Sequence, residues 1–131
     1  MRLFRVLQID DEPDIRELVA VVLDFDGEFQ VNACDSGEEG LAIAAQWHPD
    51  LILLDVRMPT MDGPATLRHL QENPGTAAIP VVFLTACAQK RELDRFNSLG
   101  AAGVITKPFD PMMLAASVRS HIHPSEAVRS H

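Results

Sequence analysis

Residues that can bind cations or anions follow four short apolar segments of this 131-residue chain. They are two adjacent acids, a third acid, a threonine and a lysine: Asp10, Asp11, Asp55, Thr85 and Lys107. If the segments are neighbouring parallel strands, these side chains meet at the edge where such sheets bind ligands. Crowded carboxylates repel each other, and Mg²⁺, which also binds phosphate oxygens, relieves this repulsion. The pattern predicts a magnesium site that receives a phosphoryl group.

Each of these residues, taken alone, has an ordinary structural explanation. Asp10 and Asp11 could cap the first helix and interact with its dipole. Asp55 could cap a turn, Thr85 could be a turn residue and Lys107 could be a solvated surface lysine. Their joint occurrence at the ends of successive strands favours the functional interpretation.

The strands that must position these side chains are indicated by apolar runs. Residues 51–54 are four aliphatic residues without alternation, which is typical of a central strand buried on both faces. Further strands are predicted at residues 5–9, 80–84 and 103–106. Residues 29–33 alternate between apolar and polar and are predicted to form an edge strand.

Helical patterns separate these strands. The first runs from Pro13 to Asp26 with one buried stripe, formed by Ile15, Leu18, Val19, Val22 and Leu23. Ser36 and Glu39 form a capping box for a second helix that ends near Trp47. Three more are predicted at residues 64–72, at 89–99 with Leu99 on its apolar face, and from 111 to about 122. Five alternating strands and helices predict an α/β fold, a flavodoxin-like doubly wound parallel sheet of order 2-1-3-4-5 in three α/β/α layers.

The polar residues and one turn motif resemble a known family. Two acids, a third acid, a threonine and a lysine close successive strands, and D-x-x-M-P-x-M-D-G begins at Asp55. This arrangement resembles the receiver domain of two-component response regulators. The resemblance extends from about Leu3 to about Ile122. It implies a receiver domain at residues 3–123 and a polar tail at 124–131.

The resemblance also implies a metal site. Asp11 and Asp55 would bind Mg²⁺ directly, and Asp10 would contribute through a water molecule. The backbone carbonyl of Arg57 would supply a further ligand. These roles are those of the matching positions in receiver domains.

By the same resemblance, Asp55 is the nucleophile that accepts a phosphoryl group. The donor would be a sensor histidine kinase or a histidine phosphotransfer protein, and the product an aspartyl phosphate. Lys107 and the Thr85 hydroxyl would bind phosphoryl oxygens. The domain would act as a phosphorylation switch or relay, catalysing only its own phosphorylation and dephosphorylation. A cis peptide bond between Lys107 and Pro108 is also implied.

The sequence departs from the family pattern at one position. Many receivers carry Tyr or Phe three residues before the lysine, where this chain has Val104. In such receivers the aromatic ring turns inward when the threonine moves towards the phosphoryl group. Arg57 and Cys87 occupy positions that in this family influence the rate of phosphate loss.

Composition limits the remaining classes of function. Eleven basic and nineteen acidic residues give a net charge of −8. Direct nucleic-acid binding is not expected, because it usually needs a basic surface. No leader segment opens the chain and no apolar run approaches the roughly 18 residues of a membrane span, so we expect a cytoplasmic protein with no membrane partner. Cys34 and Cys87 lack a C-x-x-C spacing and are expected to be reduced thiols.

Other interpretations stay open at this stage. A haloacid-dehalogenase-type phosphohydrolase also uses a strand-end Asp, but it needs a second acid where this chain has Arg57. A receiver-like scaffold would bind partners without being phosphorylated. The chain could be a stand-alone receiver or an N-terminal module of a longer effector, and a homodimer through the last helices is possible.

Overall fold

The computed structural model describes residues 2–86 and 89–122. Its single described sheet is parallel and has the order β2-β1-β3-β4-β5. The strands are β1 (Phe4–Ile9), β2 (Phe29–Cys34), β3 (Leu51–Asp55), β4 (Val81–Thr85) and β5 (Gly103–Thr106). The predicted sheet order is confirmed. Cys87 and the predicted tail lie outside the described residues.

One helix follows each strand within the described ranges. The helices are α1 (Pro13–Asp26), α2 (Gly37–Trp47), α3 (Gly63–Glu72), α4 (Lys90–Ser98) and α5 (Pro111–Ile122). One core cluster joins the sheet to α2, α3 and α4 through Ala44, Leu67 and Phe96. A second joins the opposite face to α1 and α5 through Val19 and Leu114. The three-layer α/β/α architecture is therefore confirmed.

Local signals determine several helix ends. The Ser36 hydroxyl accepts a hydrogen bond from the Glu39 backbone N–H at 3.2 Å, as the predicted cap requires. Gly27 ends α1 with a φ of 89°, in the left-handed region that glycine adopts without strain. Helix α4 is one residue shorter at each end than predicted.

The central strand β3 forms the middle of the core. Its residues 51–54 are completely buried, with helices on both faces. Phe83 of β4 and Phe96 of α4 pack beside it with their ring centroids 4.8 Å apart. This dry core anchors the end of β3 from which Asp55 projects.

Two residues predicted to face the core are exposed. Leu18 of α1 and Leu99 after α4 are each 38% exposed. The buried face of α1 is centred on Val19 and Leu23, so Leu18 lies at its margin. Leu99 lies beyond the last helical residue, at the C-cap position, so it leaves the buried face that Phe96 occupies.

Candidate functional site

Three carboxylates meet at the carboxyl edge of the two central strands. Ile9 is in register with Leu54, so Asp10 and Asp55 leave neighbouring strands at the same level. One oxygen from each of Asp10, Asp11 and Asp55 lies within 4.8 Å of the others. Asp10 is completely buried and Asp55 is 5% exposed, whereas Asp11 is exposed. The expected convergence of the three acids is confirmed.

Lys107 enters this cluster from the end of β5. Its Nζ lies 3.1 Å from Asp10 Oδ2 and 3.2 Å from Asp55 Oδ1. A third carboxylate oxygen, Glu12 Oε1, lies 3.0 Å away. The Lys107 backbone N–H donates to the Thr85 carbonyl at 2.8 Å, which fastens the base of the lysine to β4.

The surroundings of Asp55 and Lys107 raise the pKa values of both side chains. Burial raises the pKa of Asp55 to about 6, and the charge of Asp10 adds to this effect while Lys107 opposes it. Burial on its own would lower the pKa of Lys107, but the hydrogen bond to Glu12 and the nearby charges of Asp10 and Asp55 raise it above its ordinary value. At neutral pH the site therefore holds an ionised Asp55 beside a permanent cation.

The donor set fits a hard divalent cation. Asp10 Oδ1 accepts a hydrogen bond from the Glu12 backbone N–H at 2.9 Å. Asp10 Oδ2 is buried and, among the described residues, receives no hydrogen bond, because its contact with Lys107 has the distance of an ion pair but not hydrogen-bond geometry. A buried anionic oxygen without a donor favours a nearby cation. A set of three carboxylates suits Mg²⁺, which prefers oxygen ligands.

The cluster opens into a cleft of about 450 Å³. Its lining combines predicted site residues with neighbours from three loops: Glu12, Asp55, Val56, Arg57, Thr85, Ala86, Gln89 and Lys107. Thr85 is the last residue of β4 and is 5% exposed. Every residue predicted for the site thus lies in the cleft or in the acidic cluster at its floor.

The turn after β3 is built against Asp55. Gly63 donates its backbone N–H to the Val56 carbonyl at 2.9 Å. A Cβ at Gly63 would lie 2.5 Å from the Asp55 carbonyl oxygen and 2.9 Å from Val56 Cα. Only glycine allows this approach of two backbone segments, which explains the glycine that ends the turn motif.

Sequence reasoning missed two polar residues of the cleft. Glu12 contacts Lys107, and Gln89, the N-cap of α4, lines the cleft. The signal for Glu12 was its position directly after Asp10-Asp11, which makes three consecutive acids. Its contact with a lysine 95 residues away needed the tertiary structure.

Two features implied by the resemblance can be located. The Lys107–Pro108 peptide bond is cis, as implied. Val104 is in register with Phe83 of β4 and packs, partly buried, against the core cluster that contains Phe83 and Phe96. The position that carries an aromatic ring in many receivers is therefore filled here by a small aliphatic side chain.

Comparison with known proteins identifies the family. The family model described as "Response regulator receiver domain" matches residues 6–119. The chain belongs to the response regulator receiver family. This is a signalling domain that accepts a phosphoryl group, and the parallel sheet described above is that of a receiver.

Curated relatives of this receiver are longer regulators. The DNA-binding dual master transcriptional regulator RpaA of Synechocystis is 37% identical over 95% of this chain and 51% of its own length. The phosphate regulon transcriptional regulatory protein PhoB of Escherichia coli is 39% identical over 88% of this chain and 50% of its own. Response regulator PleD of Caulobacter vibrioides is 41% identical over 88% and 25%. The chain spans about half of the length of RpaA and PhoB and about a quarter of that of PleD.

Solved structures of receivers match the fold. The chemotaxis protein CheY4 of Vibrio cholerae superimposes with a TM-score of 0.83 and 29% identity, covering 89% of this chain and 97% of that one. The signal receiver domain of a signal transduction histidine kinase from Syntrophus aciditrophicus gives 0.82 and 33%, covering 93% and 92%. These neighbours confirm the flavodoxin-like topology.

The sequence predicted neither a nucleic-acid partner nor a membrane partner. RpaA is described as DNA-binding, so the prediction that nucleic acid is not a partner is not supported. That prediction used the charge of 131 residues, whereas regulators of this kind are about twice as long. Within the described part of the chain, no helix combines the length and apolarity needed to cross a bilayer.

Proposed function

We propose that Asp55 is the phosphoacceptor of this receiver and that Asp10, Asp11, Asp55 and the Arg57 carbonyl bind Mg²⁺. The observation that carries the proposal is the joint contact of Lys107 with Asp10 and Asp55 at the floor of one cleft. Bound Mg²⁺ would neutralise charge on the phosphoryl oxygens during transfer. The other interactions with the transferring phosphoryl group would come from side chains of this protein.

Asp55 is placed better than its neighbours to act as the nucleophile. Asp10 is buried and engaged by a backbone N–H and by Lys107, so its oxygens do not face the opening. Asp11 is exposed and does not line the cleft. Asp55 lines the cleft beside Lys107 and Thr85, with most of its surface shielded from water.

The transfer itself is a substitution at phosphorus. An Asp55 carboxylate oxygen forms a bond to the phosphorus of a phosphohistidine as the phosphorus–nitrogen bond breaks. The electron pair of that bond returns to the donor imidazole, which takes up a proton. Lys107 would contact one phosphoryl oxygen as a cation and the Thr85 hydroxyl would donate to another, so catalysis is mainly positioning and electrostatics.

The donor and the output belong to the same proposal. A histidine kinase or a histidine phosphotransfer protein would supply the phosphoryl group, in the cytoplasm. The similarity to RpaA and PhoB supports a receiver that regulates a further effector segment, such as one that binds DNA. A homodimer through α4 and α5 stays a prediction.

The test is phosphorylation of purified protein with acetyl phosphate or a phosphorylated kinase in the presence of Mg²⁺. We expect one acid-stable, base-labile phosphoryl group per chain, and none in Asp55→Asn. Lys107→Ala should still be labelled but should lose the structural response, because the lysine makes only one of several contacts with the phosphoryl group. The matched control is Asp14→Asn, an exposed acid in the first turn of α1, which should be labelled like wild type.

Undiminished labelling of Asp55→Asn, or labelling that needs no divalent cation, would contradict the proposal. Mass spectrometry of the intact protein gives the stoichiometry. Reduction of the acyl phosphate with borohydride before proteolysis identifies the modified residue.

A further inference from the structure

The ammonium group of Lys107 is surrounded by anionic oxygens. Three carboxylate oxygens, from Asp10, Glu12 and Asp55, lie 3.1, 3.0 and 3.2 Å from Nζ. Nζ donates hydrogen bonds to Glu12 and Asp55 and forms an ion pair with Asp10. A phosphoryl oxygen that binds Lys107 must therefore compete with these carboxylates, which also repel it.

The three partners differ in how easily they can leave. Asp10 is completely buried and its other oxygen is held by a backbone N–H. Asp55 carries the phosphoryl group itself and stays in place. Glu12 has a side chain that is 58% exposed, and its carboxylate makes no capping hydrogen bond although the residue is the N-cap of α1. Glu12 can rotate into water with the smallest loss of contacts.

We propose that Glu12 is a positioning residue that holds Lys107 in the unphosphorylated protein and competes with the phosphoryl group for it. The inference rests on the proposed roles of Asp55 and Lys107. Glu12 lowers the occupancy of the phosphorylated state because its carboxylate competes with the phosphoryl oxygens for the ammonium group of Lys107. The pair also keeps the extended lysine aimed at Asp55 while the cleft is empty of a phosphoryl group.

Removing this competitor should strengthen binding of a phosphoryl mimic. One partly exposed ion pair corresponds to a change of roughly two- to fivefold in the dissociation constant. We therefore expect Glu12→Gln to bind beryllofluoride several-fold more tightly than wild type at saturating Mg²⁺. The measurement is a ¹⁹F NMR titration, in which free and bound fluoride species give separate signals.

Matched variants separate the lysine contact from a general charge effect. Asp14→Asn removes one negative charge two residues away without touching Lys107, and its affinity should equal that of wild type. Glu12→Asp keeps the charge but is one methylene too short to reach Nζ, so it should resemble Glu12→Gln. Thermal unfolding of each variant without the mimic shows whether the fold is unchanged.

The binding results distinguish a failure of the inference about Glu12 from a failure of the proposed phosphoacceptor function of Asp55. Equal affinity in wild type and Glu12→Gln would overturn this inference, as would a Glu12→Asp variant that behaves like wild type while Glu12→Gln binds more tightly. If wild type binds beryllofluoride no better than Asp55→Asn does, the proposed phosphoacceptor function is overturned. Tighter binding in both Glu12 variants, with Asp14→Asn unchanged, supports the inference.

Discussion

The two ends of β3 differ in what they contribute to the protein. Residues 51–54 are completely buried aliphatic side chains packed on both faces of the sheet. Asp55, the next residue of the same strand, is almost as buried but carries a carboxyl group whose pKa burial has raised. The aliphatic end stabilises the fold, whereas the acidic end costs stability and supplies reactivity. Functional groups are often retained at such a cost.

The largest loss of stability should come from a substitution in the aliphatic end of β3. Leu53 is completely buried, so Leu53→Ala removes buried methyl groups and leaves a cavity. We expect a loss of about 3 kcal/mol in the free energy of unfolding, measured by urea denaturation. Leu3→Ala, at a residue that is 40% exposed, is the control and should cost less than about 1 kcal/mol. Similar losses in the two variants would mean that β3 is not the centre of the core.

The packing of Gly63 against the backbone at the acidic end should be nearly as sensitive. In Gly63→Ala the new Cβ would overlap the backbone of Asp55 and Val56, which cannot move without shifting β3. We expect a loss of about 2 kcal/mol in stability. Phosphorylation should also slow, because Asp55 is displaced from Lys107. Gly75→Ala is the control, since its nearest neighbour is a side-chain atom at 3.4 Å. A fully stable and fully active Gly63→Ala would contradict the close packing.

Binding of Mg²⁺ should offset part of the loss of stability that the acidic end of β3 causes. Binding to the folded state alone stabilises it by about 1.4 kcal/mol at ten times the dissociation constant. Asp11→Ala should lose most of this gain, because it removes one of the three converging carboxylates. Differential scanning calorimetry with and without Mg²⁺ measures the shift. An equal rise of the midpoint in wild type and Asp11→Ala would place the metal elsewhere.

The smallest effect concerns the protonation of Asp55. Its pKa of about 6 lies above the ordinary value of 3.8, so between these values the folded protein keeps a proton that the unfolded chain releases. Stability from this group is highest below about pH 4 and falls as the pH rises to about 6. Asp55→Asn cannot lose this proton and should be more stable than wild type at pH 7 without Mg²⁺.

Urea denaturation of both proteins from pH 4 to pH 7 in the presence of a chelator tests this difference. The two stabilities should be closest at pH 4 and should separate as the pH rises. A wild-type protein that gains stability relative to Asp55→Asn over this range would show that Asp55 is stabilised, not strained, by its surroundings.

The sequence by itself determined the elements, the topology and the set of chemically active residues. Apolar runs, the Ser36 cap and Gly27 act over a few residues, so their consequences can be deduced locally. The run at residues 51–54 indicated a strand with both faces covered, and the acids at strand ends could converge only in a parallel sheet. The family resemblance then supplied the roles.

Only the tertiary structure decided how distant segments meet. Leu18 lies at the margin of a helix face whose centre depends on the packing of α1 against the sheet, and periodicity does not specify that centre. The contact between Glu12 and Lys107 joins residues 95 apart in the chain, across the ends of β1 and β5. Such contacts follow from how α1, β4 and β5 pack together, because distances between strand ends are set by the whole sheet and not by any one segment.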